Sequence, residues 1–218
     1  MIIRQPAFLF QPISVKFMSY FKLLVLSLLI LCSGFYLEKR KPYLTKWVIN
    51  RGCSLKVGGS TNINKFDCVI SNYAQPDTLT FYKNNINQSL KITGSIKLDV
   101  QNFNCHNPVM TSDLRKTLKA KQFPNLSIRF ISLSKYPAFN DQINAVTGVV
   151  SIELAGITKK YEVDYKFISE GTKSLNLIGS RKVNFSDFNI IPPRKLGGMI
   201  QTNNELTVEF NLKMKVLE

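Results

Sequence analysis

The sequence has 218 residues, of which 44% are hydrophobic and 20% are charged, so it is long enough for one domain with a packed core. Its 29 Lys and Arg residues outnumber 14 Asp and Glu residues, which gives a formal net charge of +15. The single histidine excludes metal sites that need two or more histidines, and a mean hydropathy of −0.02 excludes a polytopic membrane protein.

Residues 1–34 have the features of an export signal. They contain three basic residues and no acidic residue, and the apolar run 23–31 is followed by small residues. This order is typical of a cleaved signal peptide, for which Met18 is an alternative start. The apolar run is short for a membrane span, so a cleaved signal is favoured over a retained anchor. The sequence therefore predicts a periplasmic or secreted protein, with a membrane-anchored protein as the alternative.

The next segment, 35–46, is polar and basic and contains Pro42, which is typical of a linker. From Trp47 to residue 218, apolar and polar residues alternate with a period of two, which predicts β-strands in a single domain. The longest predicted strands are 90–100, 150–154, 161–167 and 206–216. A turn at Gly156 joins the middle two of these strands as a hairpin. Shorter strands are predicted at 54–59, 63–71, 78–83, 126–133 and 174–183.

Helical signals are few. Ser112 and Asp113 predict the cap of a short helix that ends by Ala120, and a second helical turn is predicted at 185–188. Eight or nine strands with one apolar face each need more cover than these helices supply, so the sheet must cover itself. A sandwich and a closed antiparallel barrel both achieve this, and the barrel also removes exposed edges. The predicted class is therefore all-β with one or two short helices.

Three cysteines lie beyond the predicted leader. Export to an oxidising compartment permits a disulfide, and an odd number of cysteines leaves one thiol unpaired. Our hypothesis pairs Cys68 with Cys105 and leaves Cys53 buried and free. The alternative is that all three are reduced and buried. No Cys-x-x-Cys spacing occurs, which argues against a zinc ribbon or a thioredoxin-type centre.

A search for catalytic motifs finds little. The sequence has no Gly-x-Ser-x-Gly elbow, no Walker loop and no Gly-x-Gly-x-x-Gly opening a helix. His106 is the one candidate imidazole base, with Asp113 as a conceivable orienting carboxylate. Paired carboxylates for glycosidase chemistry would have to come from Glu153, Glu162, Asp164 or Glu209, which are predicted to point outward. The sequence therefore predicts a protein that is not an enzyme, with no catalytic residue, metal site or cofactor.

The basic charge favours attraction to an anionic surface. Most lysines are scattered at outward positions of predicted strands, and the longest basic run, 39–41, adjoins the predicted leader. This distribution argues against nucleic acid as a partner. An anionic membrane surface is the better candidate.

Several segments, in order, resemble the YceI-like family. The resemblance spans about 47–216 and rests on six motifs that occur in the same sequence order. These motifs are Trp47-Val48-Ile49, the run 54–68 (SLKVGGSTNINKFDC), the run 94–105 (GSIKLDVQNFNC), the run 110–130 with its Phe-Pro-Asn, the hairpin 148–159 (GVVSIELAGITK) and the late run 183–190 (VNFSDFNI).

The resemblance implies a lipocalin-like, eight-stranded antiparallel barrel, usually exported in bacteria. The family is associated with polyisoprenoid chains, such as quinone tails, or similar amphipathic lipids held inside the barrel. Two features depart from the family. Asn189 stands where glycine is common, although Asn tolerates a left-handed backbone, and Cys68 with Cys105 marks a cysteine-bearing branch.

A barrel that binds an isoprenoid or fatty-acid-like lipid would line its interior with the inward positions of the strands. A filled barrel would make the chain a non-catalytic interaction protein tethered to the membrane, and either form could be a homodimer. The candidate lining residues are Leu90, Ile92, Ile96, Leu98, Phe130, Val150, Ile152, Val163, Phe167, Val208, Phe210 and Leu212.

Overall fold

The computed structural model describes residues 43–73, 75–83, 89–136 and 144–217. The predicted leader, 1–34, and most of the predicted linker lie outside the described residues. Among the helices that are described, none is long and apolar enough to cross a membrane.

The described residues are mostly β-strands. They form one α-helix, α1 (Pro108–Thr117), and 3-10 turns at Val100–Asn102, Phe185–Phe188 and Leu196–Gly198. The strands are β1 (Tyr43–Ile49), β2 (Cys53–Ser60), β3 (Lys65–Tyr73), β4 (Thr78–Lys83), β5 (Leu90–Thr93), β6 (Ser95–Asp99), β7 (Asn125–Leu133), β8 (Asn144–Leu154), β9 (Ile157–Ser169), β10 (Ser174–Asn184), β11 (Arg194–Lys195), β12 (Ile200–Gln201) and β13 (Glu205–Leu217).

The strands close into an antiparallel barrel. Successive neighbours run β4-β5-β7-β8-β9-β10-β13, and β13 pairs with both β1 and β2. On its other side, β1 pairs with β4, and β2 pairs with β3. Strands β1 and β2 therefore act as two halves of one bent strand, and β3 and β4 act as two halves of the next. With β5 and β6 sharing one further position, the barrel has eight strand positions. The predicted all-β, eight-stranded barrel is confirmed.

The alternation of apolar and polar residues places the predicted strands well. The predicted C-terminal strand, 206–216, corresponds to β13, which spans Glu205–Leu217. The predicted hairpin is β8 and β9, which pair without a register shift up to the turn at Ala155 and Gly156. Inward residues such as Leu206, Phe210 and Leu212 are buried, whereas Thr207, Glu209 and Lys213 on the same strand are exposed.

The predicted continuous strand at 90–100 is wrong. Gly94, at φ +143°, separates β5 from β6, and Val100 begins a 3-10 turn. A Cβ atom at Gly94 would lie 2.6 Å from both Leu79 Cδ2 and the Thr78 carbonyl oxygen, so only glycine permits this close approach. The break lets β5 pair with β4 while β6 pairs with β7 alone.

The barrel begins earlier than predicted. β1 starts at Tyr43, so the last four residues of the predicted linker belong to a strand. Thr45 is buried and pairs with Phe81, whereas Leu44 faces solvent. Because a polar residue points inward here and an apolar residue points outward, the alternation pattern does not predict this part of the strand.

Helix α1 also begins earlier than the predicted start at Ser112. The side-chain oxygen of Asn107 accepts a hydrogen bond from the Met110 amide at 3.0 Å, and Pro108 occupies the first turn. Asn at the N-cap followed by Pro is a strong helix start, and it outweighs the Ser-Asp pair inside the helix. The second predicted helical turn, Phe185–Phe188, is present as a 3-10 turn.

Candidate functional site

The two ends of the barrel differ in how they are filled. Val208 and Val216 on β13 are eight residues apart, or about 26 Å along the strand. Val216 pairs with Trp47, whose ring centroid lies 4.5 Å from that of Phe81, 5.9 Å from that of Tyr136 and 6.4 Å from that of Phe167. These four rings fill this part of the barrel, which we call the aromatic end.

The end near Val208 contains a small apolar cavity of about 50 Å³. We call this the cavity end. Strands β2, β7, β8, β10 and β13 contribute its walls. The lining residues are Leu55, Val57, Phe103, Leu114, Leu118, Leu126, Ile128, Ile152, Leu154, Val183, Asn184, Phe185, Phe188, Leu206 and Val208. Asn184 is the one polar residue in this set, so the cavity offers an apolar guest almost no polar contact.

Two pieces of chain cover the cavity end, and we call them together the cover. The first piece is 100–118, and it contributes Phe103, Leu114 in α1 and Leu118 just after α1. The second piece is the turn 185–188. The first piece takes the space between β3 and β6, where Asn104 exchanges backbone hydrogen bonds of 2.8 and 3.0 Å with Val69. The hypothesised Cys68–Cys105 disulfide is present beside this bridge.

The second piece of the cover is held by Asp187. Its carboxylate accepts the Asn184 amide at 2.9 Å and the Tyr161 hydroxyl at 2.8 Å. The Asn184 amide, more than any other contact, lowers the pKa of Asp187, so the carboxylate stays charged as an acceptor. Asn189 then ends the turn in the left-handed region at φ 53°, as expected for an Asn that replaces glycine. These contacts hold Phe185 and Phe188 over the cavity.

An outer groove of about 340 Å³ runs alongside the cover. It lies between α1, the β2–β3 turn and the β11–β12 hairpin, which sequence analysis did not predict. Leu114 and Phe185 line both the groove and the cavity, so the two spaces are adjacent at these residues. An ion pair of 2.7 Å between Lys195 Nζ and Asp113 Oδ2 links the hairpin to α1.

The predicted lining residues lie inside the barrel, but most are away from the cavity. All are buried except Val208, which is half-buried. Only Ile152 and Val208 among them line the cavity. Ile92 and Phe130 border a surface crevice beside Gly94 instead. Ligand contact by the twelve residues therefore stays a prediction.

Most of the residues that enclose the cavity are not among the predicted lining residues. Phe103, Leu114 and Leu118 lie in the cover, which is not a β-strand, so a period of two in hydrophobicity does not predict their burial. Val183 and Leu206 lie within predicted strands, and they face each other across the β10–β13 pair. The late run containing Phe185 and Phe188 is a signal for this region, because two aromatic residues in a single turn need a buried surface.

The side chains that were candidates for catalysis do not lie together in one site. His106 is exposed, and its Nε2 is 3.8 Å from Asp67 Oδ2, whereas Asp113 is paired with Lys195. The four outward carboxylates, Glu153, Glu162, Asp164 and Glu209, are exposed. The described residues contain no group of three or more His, Cys, Asp or Glu side chains that could hold a metal ion.

Cys53 is buried and free, at the junction of β2 with β13. Its Sγ lies 3.0 Å from the Asn50 carbonyl oxygen, and it accepts the Lys213 amide at 3.2 Å. Burial raises the pKa of the Cys53 thiol, which makes the thiolate unfavourable. Cys53 therefore serves packing rather than nucleophilic chemistry.

Solved structures share this architecture. A polyisoprenoid-binding domain from Saccharophagus degradans, implicated in plant cell wall breakdown, matches with a TM-score of 0.56 at 8% identity, over 78% of this chain and 98% of that chain. The chain has the fold of that domain. BcnA of Burkholderia cenocepacia matches with a TM-score of 0.55 at 11% identity, over 74% of this chain and 95% of that chain.

These matches concern the fold, which is the barrel implied by the YceI-like resemblance. A YCEI protein from Campylobacter jejuni matches with a TM-score of 0.43 at 15% identity, over 63% of this chain and 74% of that chain. A scan against models of protein families finds no match, and a search of curated proteins finds none either.

Proposed function

We propose that this protein binds the apolar chain of a lipid at the cavity end of the barrel, for carriage or sequestration. The lipid class is a polyisoprenoid, such as a quinone tail, or a similar amphipathic lipid. The observation that carries this proposal is the apolar cavity beside an open groove, with Leu114 and Phe185 lining both. The shared fold with a polyisoprenoid-binding domain supports the same class of guest.

A prenyl chain is larger than the cavity, so binding requires the cover to move. A volume of about 50 Å³ has room for only a few water-sized groups. The cover rests on the cavity through apolar side chains rather than through a continuous β-ladder. When the cover shifts, the guest takes its place against the barrel wall, and each Å² of apolar surface that the guest removes from water contributes about 25 cal/mol. Because the guest replaces the apolar contacts that the cover gives up, it offsets part of the free-energy cost of expanding the cavity.

The lining favours binding over catalysis. A hydrocarbon chain needs shape and apolar surface, and a reaction on it would need a positioned acid, base or metal. The lining residues contain no titratable side chain. His106, the one imidazole, faces solvent. We therefore propose a binding protein rather than a lipid-modifying enzyme.

We also propose that the protein works after export, in the periplasm or outside the cell. The Cys68–Cys105 disulfide supports this, because such bonds persist in oxidising compartments. An uncleaved leader would instead hold the same barrel at the membrane surface.

A cavity-filling variant tests the proposed site. We expect delipidated protein to take up a fluorescent prenyl probe, which a long-chain quinone then displaces. Val183→Phe places a ring in the cavity and should weaken probe binding at least about tenfold, or about 1.4 kcal/mol. Val183→Ala is the matched control: it enlarges the same space and should retain binding. Fluorescence titration measures both dissociation constants.

A second function is favoured by the small volume of the cavity. In this alternative the barrel stays filled, and the protein acts through its surface as a non-catalytic interaction protein. No uptake by wild-type protein would support that alternative against a lipid-binding interior. Equal uptake by wild-type protein and the Val183→Phe variant would instead place the guest outside the cavity.

A further inference from the structure

Four large apolar side chains are exposed around the outer groove. Ile63 is 68% exposed, Val109 69%, Leu196 66% and Met199 71%. Single exposed apolar residues are ordinary on protein surfaces, but a group of four at one opening marks an interaction site. We call these four residues the apolar rim.

Hydrogen bonds hold part of the rim together. The Asn62 side-chain amide donates to the Met199 carbonyl at 2.8 Å, and the Gln201 amide donates to Asn62 Oδ1 at 2.9 Å. The β2–β3 turn that carries Ile63 is thereby fixed to the β11–β12 hairpin that carries Met199. Ile63 and Met199 therefore lie on backbone segments that are far apart in sequence but hydrogen-bonded to each other.

The rest of the rim adjoins the same opening. Val109 lies in the first turn of α1, and with Ile63 it lines the groove. Leu196 follows Lys195, another lining residue of the groove. A molecule that covers the rim would therefore face the outer groove beside the cavity.

The charge near the rim is positive. The three segments that carry it are 61–67, 106–119 and 190–202, and their charged residues in the groove region are Lys65, Arg194 and the Lys195–Asp113 pair. Arg115, Lys116 and Lys119 line a separate crevice near the C-terminal end of α1. Lys65 and Arg194 are exposed beside the rim, whereas Asp113 is engaged by Lys195. Exposed apolar side chains with a lysine and an arginine beside them match a bilayer that has anionic headgroups above an apolar interior.

We propose that the apolar rim inserts into the surface of an anionic lipid bilayer. This orientation turns the groove toward the membrane, so that a lipid reaches the cavity without crossing water. The inference rests on the proposed lipid-binding function. In this orientation, the cavity end of the barrel faces the membrane and the aromatic end faces away from it.

A tryptophan reporter tests the orientation. In the full chain, supplied to vesicles from dilute detergent, Met199→Trp adds one indole to the buried Trp47. We expect its emission to shift to shorter wavelength with phosphatidylglycerol vesicles, and to be quenched by brominated acyl chains. Phosphatidylcholine vesicles should give a much smaller shift. Thr172→Trp is the control, since it lies in the exposed β9–β10 turn at the aromatic end.

Three results would overturn the proposal. They are no shift at position 199, a shift at position 172 that equals or exceeds it, or a shift at 199 that depends on protein concentration without vesicles. The last result would assign the rim to a second copy of this chain.

A delivery assay separates this proposal from the proposed function. The double variant Leu196→Asp with Met199→Asp changes two rim residues that line neither the groove nor the cavity. We expect transfer of a prenyl probe from anionic vesicles to slow at least about tenfold, with binding of the same probe from solution unchanged. Unchanged transfer would contradict membrane insertion. Failure of wild-type protein to bind the probe from solution would contradict lipid binding, while the tryptophan result would still report the orientation.

Discussion

Replacing both Cys68 and Cys105 with serine is expected to lower the free energy of unfolding by about 4 kcal/mol. The bond closes a loop with a sequence separation of 37, and the loss follows from the added freedom of the unfolded chain. In the folded protein, the bond joins the cover to β3 next to the Val69–Asn104 bridge. The same substitution should also loosen the cover and raise the rate of probe uptake.

Guanidinium unfolding of the wild-type and double-serine proteins measures this loss. A matched control comes from reduction: a thiol reductant should destabilise the wild-type protein by a similar amount and leave the double variant unchanged. A loss below about 1 kcal/mol in the double variant would contradict a structural role for the disulfide.

Trp47→Ala is expected to destabilise the protein by about 3 to 5 kcal/mol, because it removes the largest fully buried side chain of the aromatic end. Trp47 has no exposed surface and packs against Phe81 and Phe167. The neighbouring rings are fixed to different strands and can close only part of the space. Thermal or denaturant unfolding gives the change in free energy.

The same variant separates stability from binding. Trp47 pairs with Val216, about 26 Å along β13 from Val208 in the cavity wall. At a temperature where the variant is folded, we expect its affinity for the prenyl probe to match that of the wild type. A loss of affinity as large as that of Val183→Phe would indicate that the guest occupies the aromatic end, against the site proposed here.

Much of the barrel could be predicted from the sequence because its strands are half-buried. Alternation at 206–216 specifies one inward face, and β13 follows it closely. Where the physical cause is tertiary, the prediction fails. Gly94 divides a well-patterned strand because Leu79 approaches it, and Thr45 is buried because β1 lies between β4 and β13.

The site is harder to predict than the fold. Inward positions such as Val150 and Phe167 are equally apolar whether they fill a core or line a cavity, so periodicity does not distinguish them. The position of the cavity depends on where aromatic rings meet and where the cover rests. Both are set by contacts between residues distant in sequence, such as Phe103 with the β-strands it covers.

Photo-crosslinking with a prenyl chain that carries a diazirine tests the central claim most directly. Delipidated protein is loaded, irradiated and digested, and the modified peptides are mapped by mass spectrometry. We predict adducts in the peptides that contain Leu114–Leu118 and Val183–Phe188, with loss of these adducts in the Val183→Phe variant. Adducts confined to the outer surface or to the aromatic end around Trp47, or no adduct at all, would contradict a lipid-binding cavity.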